Sequence, residues 1–319
     1  MKIVILDGAG LNPGDLSYDC IHQFGEVTLY QRTDTEEETI RRIADHEIVL
    51  VNKVPITEAV LAACPGIKLI CVQATGYNIV DCEACARRGI PVTNVPSYGT
   101  AAVAQFTMAL LLEMCHRIGL HNHSVHQGDW CKASTFCYWL TPQMELAGKT
   151  IGIIGFGRIG QEVAKLARAF GMHVLAYSRS QSDEGRALAK YVELDTLLAG
   201  SDIVSLHCPQ TAETAGLINC RTLAKMKDGA MLINTARGGL VVEADLVEAL
   251  ESGKLRYAAV DVVSAEPMQP DNPLLKTRKC IITPHIAWAP VESRQRLLDC
   301  VVENIRAYLN GTPQNVVNL

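Results

Sequence analysis

The chain has no apolar stretch long enough to span a bilayer, which takes about 20 residues as a helix. Its opening, MKIVILDG, lacks the apolar core and small-residue cleavage site of a secretory leader, because a short apolar run ends at Asp7. A basic surplus is missing too. Lys and Arg number 29 against 34 Asp and Glu, a net charge of −5, which offers no footprint for nucleic acid or an acidic membrane. The 12 cysteines show no metal or disulfide pattern. Cys82 and Cys85 form a C-x-x-C in a helix-like stretch with no second pair, so zinc or redox chemistry lacks its usual spacing. Cys71, Cys115, Cys208, Cys280 and Cys300 sit in apolar or helical positions, as reduced buried thiols do. His116, His121, His123 and His126 cluster without a carboxylate or thiol to complete a ligand set, and read as a polar helix face. These absences predict a cytoplasmic protein in reducing surroundings, with no metal, no membrane and no nucleic-acid partner. What is present is core material: 48% hydrophobic residues over 319 positions, a length that suggests two domains.

The first third alternates. Apolar runs at 2–6, 27–30, 48–51, 69–72 and 92–94 read as strands, with helices expected at 16–24, 35–44, 57–63 and 81–88. Thr35 followed by Glu38 has capping-box spacing. Short connections make this a parallel α/β layer. Its first turn, Asp7-Gly8-Ala9-Gly10, lacks a third glycine and runs into Leu11-Asn12-Pro13, so a dinucleotide is not expected there. A helix over 98–117 is apolar nearly all round and should be buried, with a place between domains as one option. Trp130, Phe136, Tyr138 and Trp139 then fall on an expected loop, a candidate subunit contact.

The stretch from Thr150 to Ser180, TIGIIGFGRIGQEVAKLARAFGMHVLAYSRS, is the most specific. A β-branched run precedes Gly155, Gly157 and Gly160 in G-x-G-x-x-G spacing; a helix pattern and a second apolar strand follow. Gly155 allows the tight turn, Gly157 lets the backbone approach a pyrophosphate, and Gly160 lets helix and strand pack. The helix N-terminus faces the phosphates with free N–H groups. An NAD site usually has an acidic residue after the second strand, to hold the ribose 2′-hydroxyl. Here Ser178, Arg179 and Ser180 stand instead. A guanidinium binds a 2′-phosphate bidentately, so NADP(H) is the favoured cofactor. The alternative is a solvated Arg179 stacking on adenine, with NAD(H) accepted.

Further strands are expected at 202–206, 230–233, 257–260 and 280–282. Ligands of an open parallel sheet sit beyond its carboxyl ends. Four polar segments land there: His207-Cys208-Pro209; Thr235-Ala236-Arg237; Asp261 with Glu266; and His285. With Gly155, Gly157, Arg158, Ile159, Gly160, Ser178, Arg179 and Thr214, the residues His207, Cys208, Pro209, Thr235, Ala236 and Asp261 make up the expected cofactor contacts. A carbonyl reduction needs a cation on the carbonyl, a proton donor, and a pKa near the working pH. Arg237 fits the first role, His285 the second, and Glu266 the third by orienting the imidazole and favouring its protonated form. A helix over 291–309 crosses back to the first domain and makes it discontinuous.

The motifs GFGRIG at 155–160, KMKDGAMLINTARGG at 225–239, DVVSAEP at 261–267 and TPHIAW at 283–288 together resemble the D-isomer-specific 2-hydroxyacid dehydrogenases, over essentially the whole chain. TPHIAW, ATGYNIVD and FCYW point to the glycerate dehydrogenase/hydroxypyruvate reductase branch. The resemblance implies an α/β chain of two Rossmann-like parallel-sheet domains with a cleft between them. Residues 1–99 plus 289–319 would form a flavodoxin-like substrate-binding domain, and 100–288 a dinucleotide-binding Rossmann domain. It also implies that Arg237 binds the substrate, that His285 is the acid–base with Glu266 its partner, and that the backbone of Ala74-Thr75-Gly76 takes the carboxylate near Asn52 and Lys53. Formate dehydrogenases of this superfamily carry Gln where this chain has Glu266, which argues against that activity. The reaction implied is reduction of a small 2-keto acid, hydroxypyruvate or glyoxylate, to the D-2-hydroxy acid by a homodimer in which Trp139 reaches the neighbour's site. The alternative from this fold is an NAD(H)-sensing corepressor-like scaffold with little turnover, for which no disordered tail or basic patch speaks.

Overall fold

The computed structural model describes residues 1–319. The chain divides into two compact units: Met1–Gly99 with Trp288–Leu319, and Thr100–Ala287. Each apolar run read as a strand forms one, to within about two residues.

The first unit holds β1 (Lys2–Ile5), β2 (Glu26–Leu29), β3 (Ile48–Val51), β4 (Leu69–Val72) and β5 (Val92–Thr93), all parallel in the order β2-β1-β3-β4-β5. β3 and β4 are buried at all four positions, as strands covered on both faces must be. Val4, Val49, Val51, Ile70 and Val72 face one core; Ile3, Ile5, Ile48, Leu50, Leu69 and Cys71 face the other. Leu297, Leu298, Val301, Val302 and Ile305 of the helix Val291–Leu309 cover the second face, so residues far apart in the chain complete one core. Arg294 on that helix is 6% exposed and pairs twice with Asp15 at 2.6 Å, while donating to the carbonyls of Leu11 and Ala289. These bonds satisfy a charge that burial alone would make costly. Val317 donates to Val92 O, and Asn318 takes the Val92 N–H and gives to Ile90 O, so the edge of β5 is covered.

One expected helix is shorter than its pattern. Residues 16–24 yield only Asp19–His22. The Asn12 side chain accepts the Leu16 N–H at 3.0 Å and donates to the Leu16 carbonyl at 2.5 Å, and so holds that stretch in a loop.

The second unit is a seven-stranded parallel sheet: β6 (Thr150–Ile154), β7 (His173–Tyr177), β8 (Lys190–Tyr191), β9 (Ile203–Leu206), β10 (Ala230–Asn234), β11 (Leu255–Val260) and β12 (Cys280–Ile282), in the order β12-β11-β10-β9-β6-β7-β8. The winding reverses between β6 and β9, the switch point at which such sheets bind ligands. The apolar helix Thr100–His116 is buried in this unit's own core. Ala104, Met108, Leu111 and Met114 cluster there with Val163, Ala164 and Ala167 of the helix Arg158–Ala169. Beyond it, the helix Ile118–His126 carries His121 and His126, whose ring nitrogens bond carbonyls one turn earlier; His116 pairs with Gln143. Residues 133–149 form no helix or strand.

Candidate active site

The three fingerprint glycines meet three different surroundings. Gly155 has φ +92°, and a Cβ there would lie 2.3 Å from the Cys208 nitrogen. The turn after β6 therefore lies against the segment after β9. At Gly160 a Cβ would fall 2.4 Å from Gly155 O, so close packing of helix on turn demands its absence. At Gly157 a Cβ would meet no protein atom within 4 Å. Gly157 is also the N-cap of Arg158–Ala169, and no side chain caps the first-turn N–H groups of that helix. A pyrophosphate fits this cradle; Arg158 is exposed and Ile159 half-buried beside it.

Ser178 and Arg179 follow β7, half-buried and exposed. The loop after β9 adds a residue the sequence reading missed. The Thr211 hydroxyl bonds Glu213 at 2.6 Å and, with the charge of Arg179, holds the Glu213 carboxyl below its usual range. The charge of Arg179 thus reaches a carboxylate on the loop after β9. His207 bonds Ser205 Oγ at 2.8 Å through Nε2; burial of its ring pushes its pKa down to about 4, so it is neutral at pH 7. Cys208 is buried, and burial raises its thiol pKa. Thr214 folds its own loop, giving its hydroxyl to Pro209 O at 2.7 Å and accepting from Thr211 N. Thr235 Oγ1 meets Thr107 Oγ1 at 3.0 Å, and Ala236 N–H donates to Asn234 Oδ1.

Arg237 lies after β10, exposed, donating through Nη1 to Ala236 O at 2.7 Å. Glu266 and His285 come from the loops after β11 and β12. Glu266 Oε2 is 2.6 Å from His285 Nδ1, and its Oε1 accepts the Val263 N–H at 3.2 Å. His285 takes a positive φ of 55° and donates its N–H to Asp261 O at 2.8 Å. Asp261 is 1% exposed and both its carboxylate oxygens are engaged: Oδ1 with the Thr283 hydroxyl and Ile286 N–H, Oδ2 with Ala287 N–H. It fixes the histidine loop, a task not apparent from its strand-end position.

In the first unit the residues expected from the sequence to meet substrate lie beyond β3 and β4. The N–H groups of Asn52, Lys53 and Val54 all point at the Asp7 carboxylate, and burial raises the Asp7 pKa against these bonds. Asn52 Nδ2 donates to Gln73 O at 2.7 Å. Thr75 is pinned by Val95 O and by Asn94, while the N–H groups of Ala74, Thr75 and Gly76 donate to no protein acceptor. Gln73, unmarked by any sequence pattern, is 0% exposed with both amide atoms unpaired. Trp139 of the second unit is 68% exposed.

An open cradle at a switch point, beside strand ends that carry a carboxylate-paired imidazole, marks the nicotinamide-dependent α/β oxidoreductases. Comparison narrows the class. The model of the D-isomer specific 2-hydroxyacid dehydrogenase NAD binding domain matches residues 108–287. Hydroxypyruvate reductase of Blautia hydrogenotrophica is 52% identical over 321 residues, all of both chains. Glycerate dehydrogenase of Methylorubrum extorquens is 41% identical, covering 99% of this chain and 98% of its own. Among solved structures, an acyclic imino acid reductase in complex with NADPH and D-Arg superposes with a TM-score of 0.86 at 31% identity, covering 99% of this chain and 100% of that one. The chain belongs to the D-isomer specific 2-hydroxyacid dehydrogenases, and within them to the branch that holds these two curated relatives. It is an enzyme of that family with a nicotinamide cofactor; a corepressor-like scaffold with little turnover is not favoured.

Proposed function

We propose that the chain reduces hydroxypyruvate, and glyoxylate as a second substrate, to the D-2-hydroxy acid. The observation that carries this is the 2.6 Å contact between Glu266 and His285, on the strand ends of the sheet that also bears the glycine turn. In the second unit Arg237 polarises the keto oxygen. His285 gives that oxygen its proton, while Glu266 orients the ring and offsets the charge it carries when protonated. In the first unit the N–H groups left open to take a substrate carboxylate are those of Ala74, Thr75 and Gly76, since those of Asn52 and Lys53 are spent on Asp7. Gly155, Gly157, Arg158, Ile159 and Gly160 would hold the cofactor, which when bound would supply the hydride that C2 takes up.

Arg179 supports NADP(H) over NAD(H), with Ser178 donating to the same 2′-phosphate. The Glu213 carboxylate, which the Arg179 charge reaches, tempers that preference. The chain works as a homodimer in the cytoplasm. Exposed Trp130, Phe136 and Trp139 on one segment support the first part, and twelve free thiols suit a reducing compartment. The test is a matrix of kcat/KM crossing NADPH and NADH with hydroxypyruvate, glyoxylate, pyruvate and phenylpyruvate, with light scattering for subunit count. NADPH with hydroxypyruvate should lead. A lead for NADH removes the Arg179 argument, and turnover of none of the acids removes the reading itself.

A further inference from the structure

Glu243 opens the helix Glu243–Glu251, half-buried, and its carboxylate turns toward the segment that follows β11. Oε1 accepts the Ser264 N–H at 2.7 Å. Oε2 accepts the Ser264 hydroxyl at 3.0 Å and Asn272 Nδ2 at 2.9 Å. Two residues after Ser264 comes Glu266, against His285. The same segment is met from another side by Gly238, the residue after Arg237: a Cβ there would lie 1.9 Å from Val263 O. The segment carrying Glu266 is therefore gripped between the turn that bears Arg237 and the Glu243 carboxylate. Burial first, and then the charge of Glu243, push the Cys280 thiol up to about 12. An acidic residue helps a helix N-terminus even when fully solvated, so that role does not explain three bonds to one distant loop.

We propose that Glu243 is a positioning residue for the Glu266–His285 pair: its carboxylate holds Ser264 and Asn272 so that Glu266 meets the imidazole. The inference rests on the acid–base reading of that pair. A carboxylate is the fitting group because it accepts from a backbone N–H, a hydroxyl and an amide at once and donates to none of them. Charge-assisted bonds of this kind are stronger than neutral ones, which suits a loop that is otherwise exposed.

The experiment uses the full chain as E243A, E243Q and S264A. It reads kcat and KM with hydroxypyruvate, the pH profile of kcat, the cofactor Kd, the melting temperature, and the low-field NMR signal of the ring N–H between His285 and Glu266. E243A should lower kcat about 10- to 100-fold, as displacement of a reacting group by an ångström does. Its cofactor Kd should hold, the acid–base limb of the profile should move, and the low-field signal should broaden or vanish. E243Q keeps an oxygen for the Ser264 N–H but sets an amide N–H2 against the Ser264 hydroxyl and the Asn272 amide, so it should fall between E243A and the parent, as should S264A. If E243A keeps the parent's signal and pH profile, whatever its melting temperature, Glu243 only stabilises the fold and the proposal fails. If E243A does not fold, an undisturbed signal and profile in both E243Q and S264A refute it equally. Failure of the parent to turn over any 2-keto acid would sink the functional reading alone, since the NMR signal is read without turnover.

Discussion

Alanine at each of the three fingerprint glycines should separate folding from cofactor binding. At Gly155 two costs combine. The positive φ of 92° costs a residue with a Cβ roughly 1–2 kcal/mol, and overlap with the Cys208 nitrogen at 2.3 Å adds about 1–3 kcal/mol because backbone cannot swing away. A unit of this size loses about 2–4 °C of melting temperature per kcal/mol, so G155A should melt about 4–20 °C lower. G160A carries only the overlap cost, its Cβ being 2.4 Å from Gly155 O, and should melt about 2–12 °C lower. Gly157 differs. Its φ is −79° and nothing lies within 4 Å of the added carbon, so the ligand-free fold should lose only about 0.5 kcal/mol, the difference between glycine and alanine at an N-cap. The space it fills is that of the phosphates, and the cofactor Kd should rise at least about 10-fold, or 1.4 kcal/mol. Thermal melting of ligand-free chains and fluorescence titration with the reduced nicotinamide measure the two effects. The reasoning fails if G157A melts as low as G155A, or if it binds cofactor as tightly as the parent.

His207 should make the second unit acid-sensitive. Its folded pKa of about 4 lies below the ordinary 6.5, so folding favours the neutral ring; the stability it contributes is complete above pH 6.5 and is lost as pH falls through about 4, at most about 3 kcal/mol in all. Urea titrations at stepped pH should show this slope in the parent and a shallower one in H207N; equal slopes would dismiss the assignment. Gln73→Met should stabilise the first unit by about 1–3 kcal/mol, since it replaces an amide with two unpaired buried atoms by an apolar chain of similar length. A fall in stability would mean that an ordered water serves that amide.

Most strands were legible because parallel strands buried on both faces are continuous apolar runs, as at β3 and β4, and need no partner to be recognised. The two residues of β8 carry no such signal. The contraction of the 16–24 helix was hidden because it depends on where the Asn12 amide points, not on periodicity. Glu266 and His285 stood out through their place after strands. Glu243 did not, because its partner Ser264 lies 21 residues away and a glutamate opening a helix is unremarkable in a sequence. Gln73 gave no warning either, since an unpaired amide is defined by what surrounds it. Asp261 was visible as a strand-end acid, yet its bonds to Thr283, Ile286 and Ala287 exist only once two loops meet.

The helix Val291–Leu309 closes one face of the first unit's sheet, and Val317 and Asn318 cover its edge. A ribosome delivers residues 1–99 long before these. During synthesis the leading segment would wait with Ile3, Ile5, Leu50 and Leu69 uncovered, while Thr100–Ala287, contiguous in the chain, can fold as soon as it emerges. The part made first is therefore finished last. In that interval Ile3, Ile5, Leu50 and Leu69 lie open to solvent, the state in which a chain of this kind is most prone to aggregate.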